Sequence, residues 1–240
     1  EMIIGSAGGV NMTATLEYKP QDVDANDVAV KVTLHKLFGG HSGLEINEGR
    51  CNANKAMARL VQDAIANFAA CLADWKGGNM RNAIPSSAEV VLTLPKENVE
   101  AFKEVVSEWR QTFKDEYDPI EKTLELDVEE VALPSQIVPE EIQDNLVDAL
   151  CAVHNGVYRM IPYNKEIVET SSNLAIVEIG EGKAKFLILI RSSRDSMREC
   201  CAETLESAFS MAGMKVETDG DYPAWQPNPH SEIVELMKGI

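Results

Sequence analysis

The sequence predicts an α+β fold: two ferredoxin-like halves, each running β-α-β-β-α-β, that form one double-length unit of antiparallel sheet with helices on one face. Three observations carry that prediction. From Asp27, Val28, Val30, Val32 and Leu34 alternate with Ala29, Lys31, Thr33 and His35, the period of a half-buried strand. Further on, Met57, Leu60, Val61, Ala64, Ile65, Phe68 and Leu72 recur at three- and four-residue spacing, which marks an amphipathic helix. The succession of such segments is completed once by about residue 131 and is run through again, less cleanly, after it.

The helix is expected over roughly 50–74, where Gly77 and Gly78 stop it. A short strand over about 80–84 runs into the turn Pro85-Ser86-Ser87, and a second strand carries Val90, Leu92 and Leu94 on one face before Pro95 ends it. A helix over about 97–116 buries Val99, Phe102, Val106, Trp109 and Phe113. The stretch TLELDVEEV reads as a strand that buries Leu124, Leu126 and Val128 and turns carboxylates to water. In the second half a helix over about 140–153 presents Ile142, Leu146, Ala149 and Leu150. After an irregular stretch, NLAIVEIG and KFLILIRSS are strands joined by the hairpin turn Glu181-Gly182. FLILI is apolar on both faces, which places it centrally in the sheet. A helix over about 194–212 and the strand MKVET complete the pattern. Direct identity between the halves is faint, so the repeat, divided as 11–131 and 132–222, rests on element order alone. The opening EMIIGSAGG reads as the tail of a strand entering a glycine turn. The tail YPAWQPNPHSEIVELMKGI, with three prolines and a new helix start, reads as the opening of another domain.

The 240 residues are 45% hydrophobic and 25% charged, enough for a real core. A net charge of −17 repels phosphate backbones and anionic lipid, so neither nucleic acid nor a membrane surface is an expected partner. No run of 18 apolar residues and no basic-then-apolar leader is present, so neither a membrane span nor secretion is expected. The five cysteines are odd in number and form no C-x-x-C pair; they fit free thiols in a reducing cytoplasm.

Most of the chemistry-bearing residues have ordinary readings. His35, His41, His154 and His230 show no metal-ligand spacing. Glu129 and Glu130 end a strand, where alternation splits them onto opposite faces, and Glu140 and Glu141 suit the first turn of a helix. Gly180-Glu181-Gly182-Lys183 lacks the strand-loop-helix context of a phosphate loop, and Cys200-Cys201 reads as core packing. Two residues stand apart. Gly39, Gly40 and Gly43 strip bulk from around His41, so it is either an ordinary turn histidine or one held out to another molecule. Arg191 ends an apolar strand and needs an anion: a carboxylate of its own fold, or a bound one gripped in bidentate fashion.

Three segments bear on that choice: VTLHKLFGGHSGLEINEGRCNANKAMARL, GGNMRNAIPSSAEV and LILIRSS. Together they resemble the lid of the zinc aminoacylase/dipeptidase superfamily. The opening IIGSAGG, the double length and VETSSNLAIVEIG resemble most the bacterial aminoacyl-histidine (Xaa-His) dipeptidases, over essentially the whole chain.

The resemblance implies a lid inserted into a catalytic domain that carries two zinc ions, with 1–10 and 223–240 as stubs of that domain. The family's H-x-D, paired-glutamate and late-histidine motifs are absent, so this chain itself would hold no cofactor. By the same resemblance, His41 would donate a ring N–H to the scissile carbonyl oxygen, Asn82 would assist through its amide, and Arg191 would hold the carboxylate of a dipeptide. Asn173 is aligned with an amide that precedes the arginine in single lids. Each half would then keep part of a site that simpler relatives assemble from two subunits. The implied protein is a cytoplasmic dipeptidase acting on Xaa-His dipeptides, inactive without its catalytic domain, with a homodimer left open. Its rivals are a free-standing small-molecule-binding module and an oligomerisation domain.

Overall fold

The computed structural model describes residues 5–226, 228 and 230–238; Glu1 to Ile4, Pro227, Pro229 and the last two residues lie outside them, and with them parts of both expected stubs. The chain runs β1 (Gly8–Glu17), β2 (Gln21–Asp22), β3 (Asp27–His35), β4 (Gly40–His41), α1 (Ala53–Phe68), β5 (Cys71–Gly77), β6 (Ala83–Ile84), β7 (Ala88–Pro95) and α2 (Val99–Glu116). It continues through β8 (Glu125–Val131), β9 (Gln136–Ile137), α3 (Glu140–Ala152), β10 (Gly156–Ile161), β11 (Asn164–Gly180), β12 (Lys183–Ser192), α4 (Asp195–Met211), β13 (Lys215–Tyr222) and α5 (Glu232–Lys238).

A nine-stranded sheet forms the frame, in the order β13-β1-β12-β11-β5-β7-β3-β8, with β10 paired to β11 beside that path. It contains two ferredoxin-like arrangements edge to edge. The first is β3-α1-β5-β7-α2-β8, and the second is β1-α3-β11-β12-α4-β13. They fuse where β11 pairs antiparallel with β5, Val177 opposite Gly77 and Ile179 opposite Trp75. The first half is therefore nested inside the second, between its first strand and its first helix.

This nesting departs from the division at residues 11 and 131. The segment Gly8–Glu17 is hydrogen-bonded between β12 and β13, in the second half, and Gly8-Gly9 is extended strand and not a turn. Its alternation is quiet because Val10, Met12 and Ala14 face the core while Gly9, Asn11 and Thr13 occupy the other face. The short strands β2 and β9 pair with each other, Gln21 opposite Ile137, and so zip together the chain entering and leaving the nested half.

Two further expectations are corrected. Helix α1 stops at Phe68, where Ala69 turns left-handed (φ 52°) and Asn98 Nδ2 caps the Phe68 carbonyl at 2.9 Å. The next segment is a strand: Leu72 continues the helical spacing by coincidence, and Leu72 and Trp75 are fully buried from β5. The strand expected over 80–84 shrinks to Ala83–Ile84, and the stretch read as irregular contains β10.

One apolar core gathers α1 to α4 against the sheet, with Phe102, Phe113, Phe186, Phe209, Met57 and Leu60 buried within it. Each such side chain contributes about 1.5–3 kcal/mol on burial. Strand β12 is central, as its composition predicts. Phe186, Ile188 and Ile190 join that core, while Leu187, Leu189 and Arg191 alternate onto the opposite face. No helix among the described residues is long and apolar enough to cross a membrane.

Candidate functional site

The glycine-rich loop after β3 is built to hold one imidazole. Gly39 and Gly40 have φ of 62° and 128°, conformations that only glycine adopts without strain. A side chain on Gly40 would also strike Arg50 and Glu45. Arg50 gathers the loop, donating to the Gly39 carbonyl at 2.7 Å and pairing with Glu45 and Glu48 at 2.5 and 2.6 Å. Glu45 in turn accepts the His41 backbone N–H at 2.6 Å, and this bond is the main reason its carboxyl titrates below the ordinary range. The loop is clipped to the next one by β4–β6 pairing, His41 opposite Ala83, and by Ser42 N donating to the Asn82 carbonyl at 2.9 Å.

The His41 ring is oriented by its own backbone. Nδ1 accepts from the N–H groups of Gly43 and Leu44 at 3.1 and 3.2 Å. A nitrogen that accepts two amide protons carries none itself, so the neutral ring has its proton on Nε2. The imidazole thus presents a donor on the side away from the loop.

Arg191 comes from the other half. On the sheet it stands opposite Gly9 of β1 and Ser171 of β11. Nη1 donates to the Tyr222 hydroxyl at 3.2 Å, and Nε is buried with no hydrogen-bond partner. Among the described residues no carboxylate pairs with it, so the anion of its own fold is not there. A Cβ built on Gly43 would lie 3.1 Å from both Arg191 Nε and His41 Cε1. The loop of the first half therefore brings its histidine and the arginine of the second against one glycine, where a larger residue would be tightly packed. Ser42 Oγ, in the same loop, is likewise buried without a partner.

The two asparagines differ. Asn82 is exposed, and its side-chain amide makes no hydrogen bond among the described residues. Asn173 is 1% exposed and already engaged: Nδ2 donates to the Ala83 carbonyl at 2.7 Å, and Oδ1 accepts from Asn52 Nδ2 at 3.4 Å. Asn52 also caps α1 and reaches Asn155 Oδ1 at 2.9 Å, which accepts the Leu174 N–H. Asn173 thus ties the Ala83–Ile84 strap to the junction of the halves, a supporting position and not an outward-facing one. Sequence reasoning missed this asparagine cluster and Tyr222. The only hint of Tyr222 was the bare pair Gly8-Gly9 on which it packs.

The remaining candidates behave as ordinary structure. His35 pairs with Asp127 at 2.7 Å on the surface. His154 contacts Ser172 Oγ and the Val157 carbonyl, and burial lowers its pKa. Glu129 pairs with Lys31 of β3 and Glu130 with Lys103 of α2, so alternation does split them. Glu181 and Gly182 form the hairpin turn with φ of 51° and 78°. All five cysteines are free; burial raises the Cys51 and Cys201 thiols to about 12. Among the described residues there is no group of three or more His, Cys, Asp or Glu that could hold a metal ion.

Comparison with known proteins gives this geometry a context. Residues 32–121 match the peptidase dimerisation domain family. The chain is 34% identical over 238 residues to the cytosol non-specific dipeptidase of Escherichia coli (strain K12), covering 99% of this chain and 49% of that protein. It superposes on the aminoacylhistidine dipeptidase of Vibrio alginolyticus with a TM-score of 0.95 at 35% identity, again over 99% of this chain and 49% of the other. The chain spans about half the length of these relatives.

Proposed function

We propose, from the match of residues 32–121 to the peptidase dimerisation domain family and from a fold like that of half an aminoacylhistidine dipeptidase, that this chain is the substrate-capping lid of a metal-dependent dipeptidase. The metal ions, taken to be zinc, and the attacking water belong on this reading to a separate catalytic domain. The substrates are dipeptides with a C-terminal histidine, the class named for the Vibrio relative. The compartment is the cytoplasm, in keeping with five free thiols.

The chain's own residues have distinct tasks. His41 donates its Nε2–H to the scissile carbonyl oxygen as negative charge develops there. A preorganised donor of this kind lowers a barrier by about 2.7–4 kcal/mol. Arg191 binds the C-terminal carboxylate, which restricts the site to short peptides. Asn82 offers its amide beside His41, and Asn173 keeps the strap in place. The observation that carries the reading is the meeting of His41 and Arg191 at Gly43, the arginine having no carboxylate partner among the described residues.

The test is kinetic, on the full-length enzyme that contains this chain. His41→Ala should lower kcat by roughly 100- to 1,000-fold, and Arg191→Ala should raise KM for dipeptides while sparing their C-terminal amides. Unchanged kinetics in both variants would refute the reading, as would chelator-sensitive dipeptidase activity from residues 1–240 alone. A second reading, dimerisation through this domain, is favoured by the family's description and by the two open sheet edges, β8 and β13. It is compatible with the first.

A further inference from the structure

The proposed carboxylate site contains one more organised group. The end of β13 is pinned: Arg198, 6% exposed, donates to the Tyr222 carbonyl at 2.7 Å and pairs with Asp195 and Asp221 at 2.8 and 2.9 Å. The Tyr222 ring then lies across Gly9. A Cβ on Gly9 would stand 2.6 Å from the Tyr222 hydroxyl, and one on Gly8 2.5 Å from its carbonyl oxygen, so both glycines are required for this approach. Gly9 is also the residue opposite Arg191, and this brings the phenol to the guanidinium.

The neighbouring acids are already committed. Asp219 accepts from Asn11 at 2.7 Å and faces Arg81 at 3.5 Å, and Asp195 and Asp221 are held by Arg198. The group that touches Arg191 is therefore a neutral hydroxyl, which orients the guanidinium without cancelling its charge. A phenol that accepts from Arg191 Nη1 still has its own proton to donate.

We infer that Tyr222 is the second arm of a carboxylate clamp: its oxygen accepts from Arg191 Nη1, and its proton goes to the carboxylate that Arg191 binds. The inference rests on the dipeptidase reading and adds to it a specificity-determining residue for the free C-terminus. The ligand class is a peptide or amino-acid carboxylate, and the corresponding amide is discriminated against. The phenol is set in place beforehand by Arg198, so little side-chain entropy is lost on binding.

The experiment compares kcat/KM for a dipeptide and for the same dipeptide as its C-terminal amide, in the full-length enzyme. Tyr222→Phe should compress the acid-over-amide preference about tenfold, the low end of a hydrogen bond to a charged group. A preference kept within twofold in Tyr222→Phe, while Arg191→Ala abolishes it, overturns the clamp and leaves the dipeptidase reading standing. A preference that survives Arg191→Ala as well overturns the underlying reading. Should Tyr222→Phe fold poorly, Gly9→Ala decides: its methyl displaces the hydroxyl, and the same compression is expected, its absence counting against the clamp.

Discussion

His41 and Arg191 both close on Gly43: a methyl group on its α-carbon would be 3.1 Å from His41 Cε1 and 3.1 Å from Arg191 Nε. The two side chains belong to different halves of the sheet, and the loop that joins them has no slack at this point.

Gly43→Ala probes that contact directly. The position does not carry a left-handed φ, so the cost is steric and not conformational. Overpacking of this kind typically costs about 1–3 kcal/mol. Since both neighbours are proposed site residues, activity should fall further than stability does. Thermal melts alongside kcat/KM in the full-length enzyme measure the two effects, and a variant with wild-type kcat/KM would contradict a shared site.

The His41 ring separates a loop function from a donor function. Nδ1 caps two backbone N–H groups, which leaves the proton of the neutral ring on Nε2. The amide oxygen of asparagine reaches about as far as Nδ1 and leaves nothing at Nε2. His41→Asn should therefore keep the melting temperature near wild type yet lose kcat about as fully as His41→Ala, whose loop also loses its caps. If the asparagine variant retains kcat, the ring serves the loop alone.

Much of the fold was legible because it is written in periodicity. Val28 to Leu34 and FLILI carry strong signals, and both strands lie where those signals put them. The missed strands fail for physical reasons. Strand β1 sets Gly9, Asn11 and Thr13, too small or polar to stand out, on the face away from the core, and Leu72 fell in step with a helix that Ala69 had already ended. The site was legible in part. GGHSG declares a bare backbone, and Arg191 declares an unmet charge. That the two converge depends on β11 pairing with β5, a contact between halves that no local pattern records.

Acid should weaken this fold through His154. Burial is the main cause that lowers its pKa below the ordinary 6.5, so the folded state holds the neutral ring. The unfolded chain then binds more protons between the folded value and 6.5, and stability falls as pH drops through that window. Glu45 and Glu116, both lowered, chiefly by the His41 N–H and by Arg59 respectively, extend the loss at lower pH, since each stabilises only while ionised. Melting curves from pH 7.5 to 5.5 should show a slope that His154→Asn flattens. An unchanged slope would place the titration elsewhere.

Nesting of the first half within the second makes a prediction about fragments. Entry and exit of the inner unit are zipped by β2 and β9, and its four strands and two helices are contiguous from Asp27 to Val131. A fragment spanning 23–136 keeps every element of that unit and loses its contacts with the second half: the β11 partner of β5, α3 against α1, the Asn52 bonds to Asn155 and Asn173, and the Lys55 bonds to the Leu150, Cys151 and Val153 carbonyls. It should fold, with β5 as a new open edge. A fragment spanning 11–131 should fold no better, because residues 11–17 pair with β12 and β13, and neither is present. Amide exchange distinguishes the cases: protection is expected across β3, β7 and α1 in both fragments, and none at Asn11 to Glu17 in the longer one. Slow exchange at Met12 and Ala14 in that fragment would mean that β1 has found a partner within the first half, and the nested arrangement would not be what organises the chain.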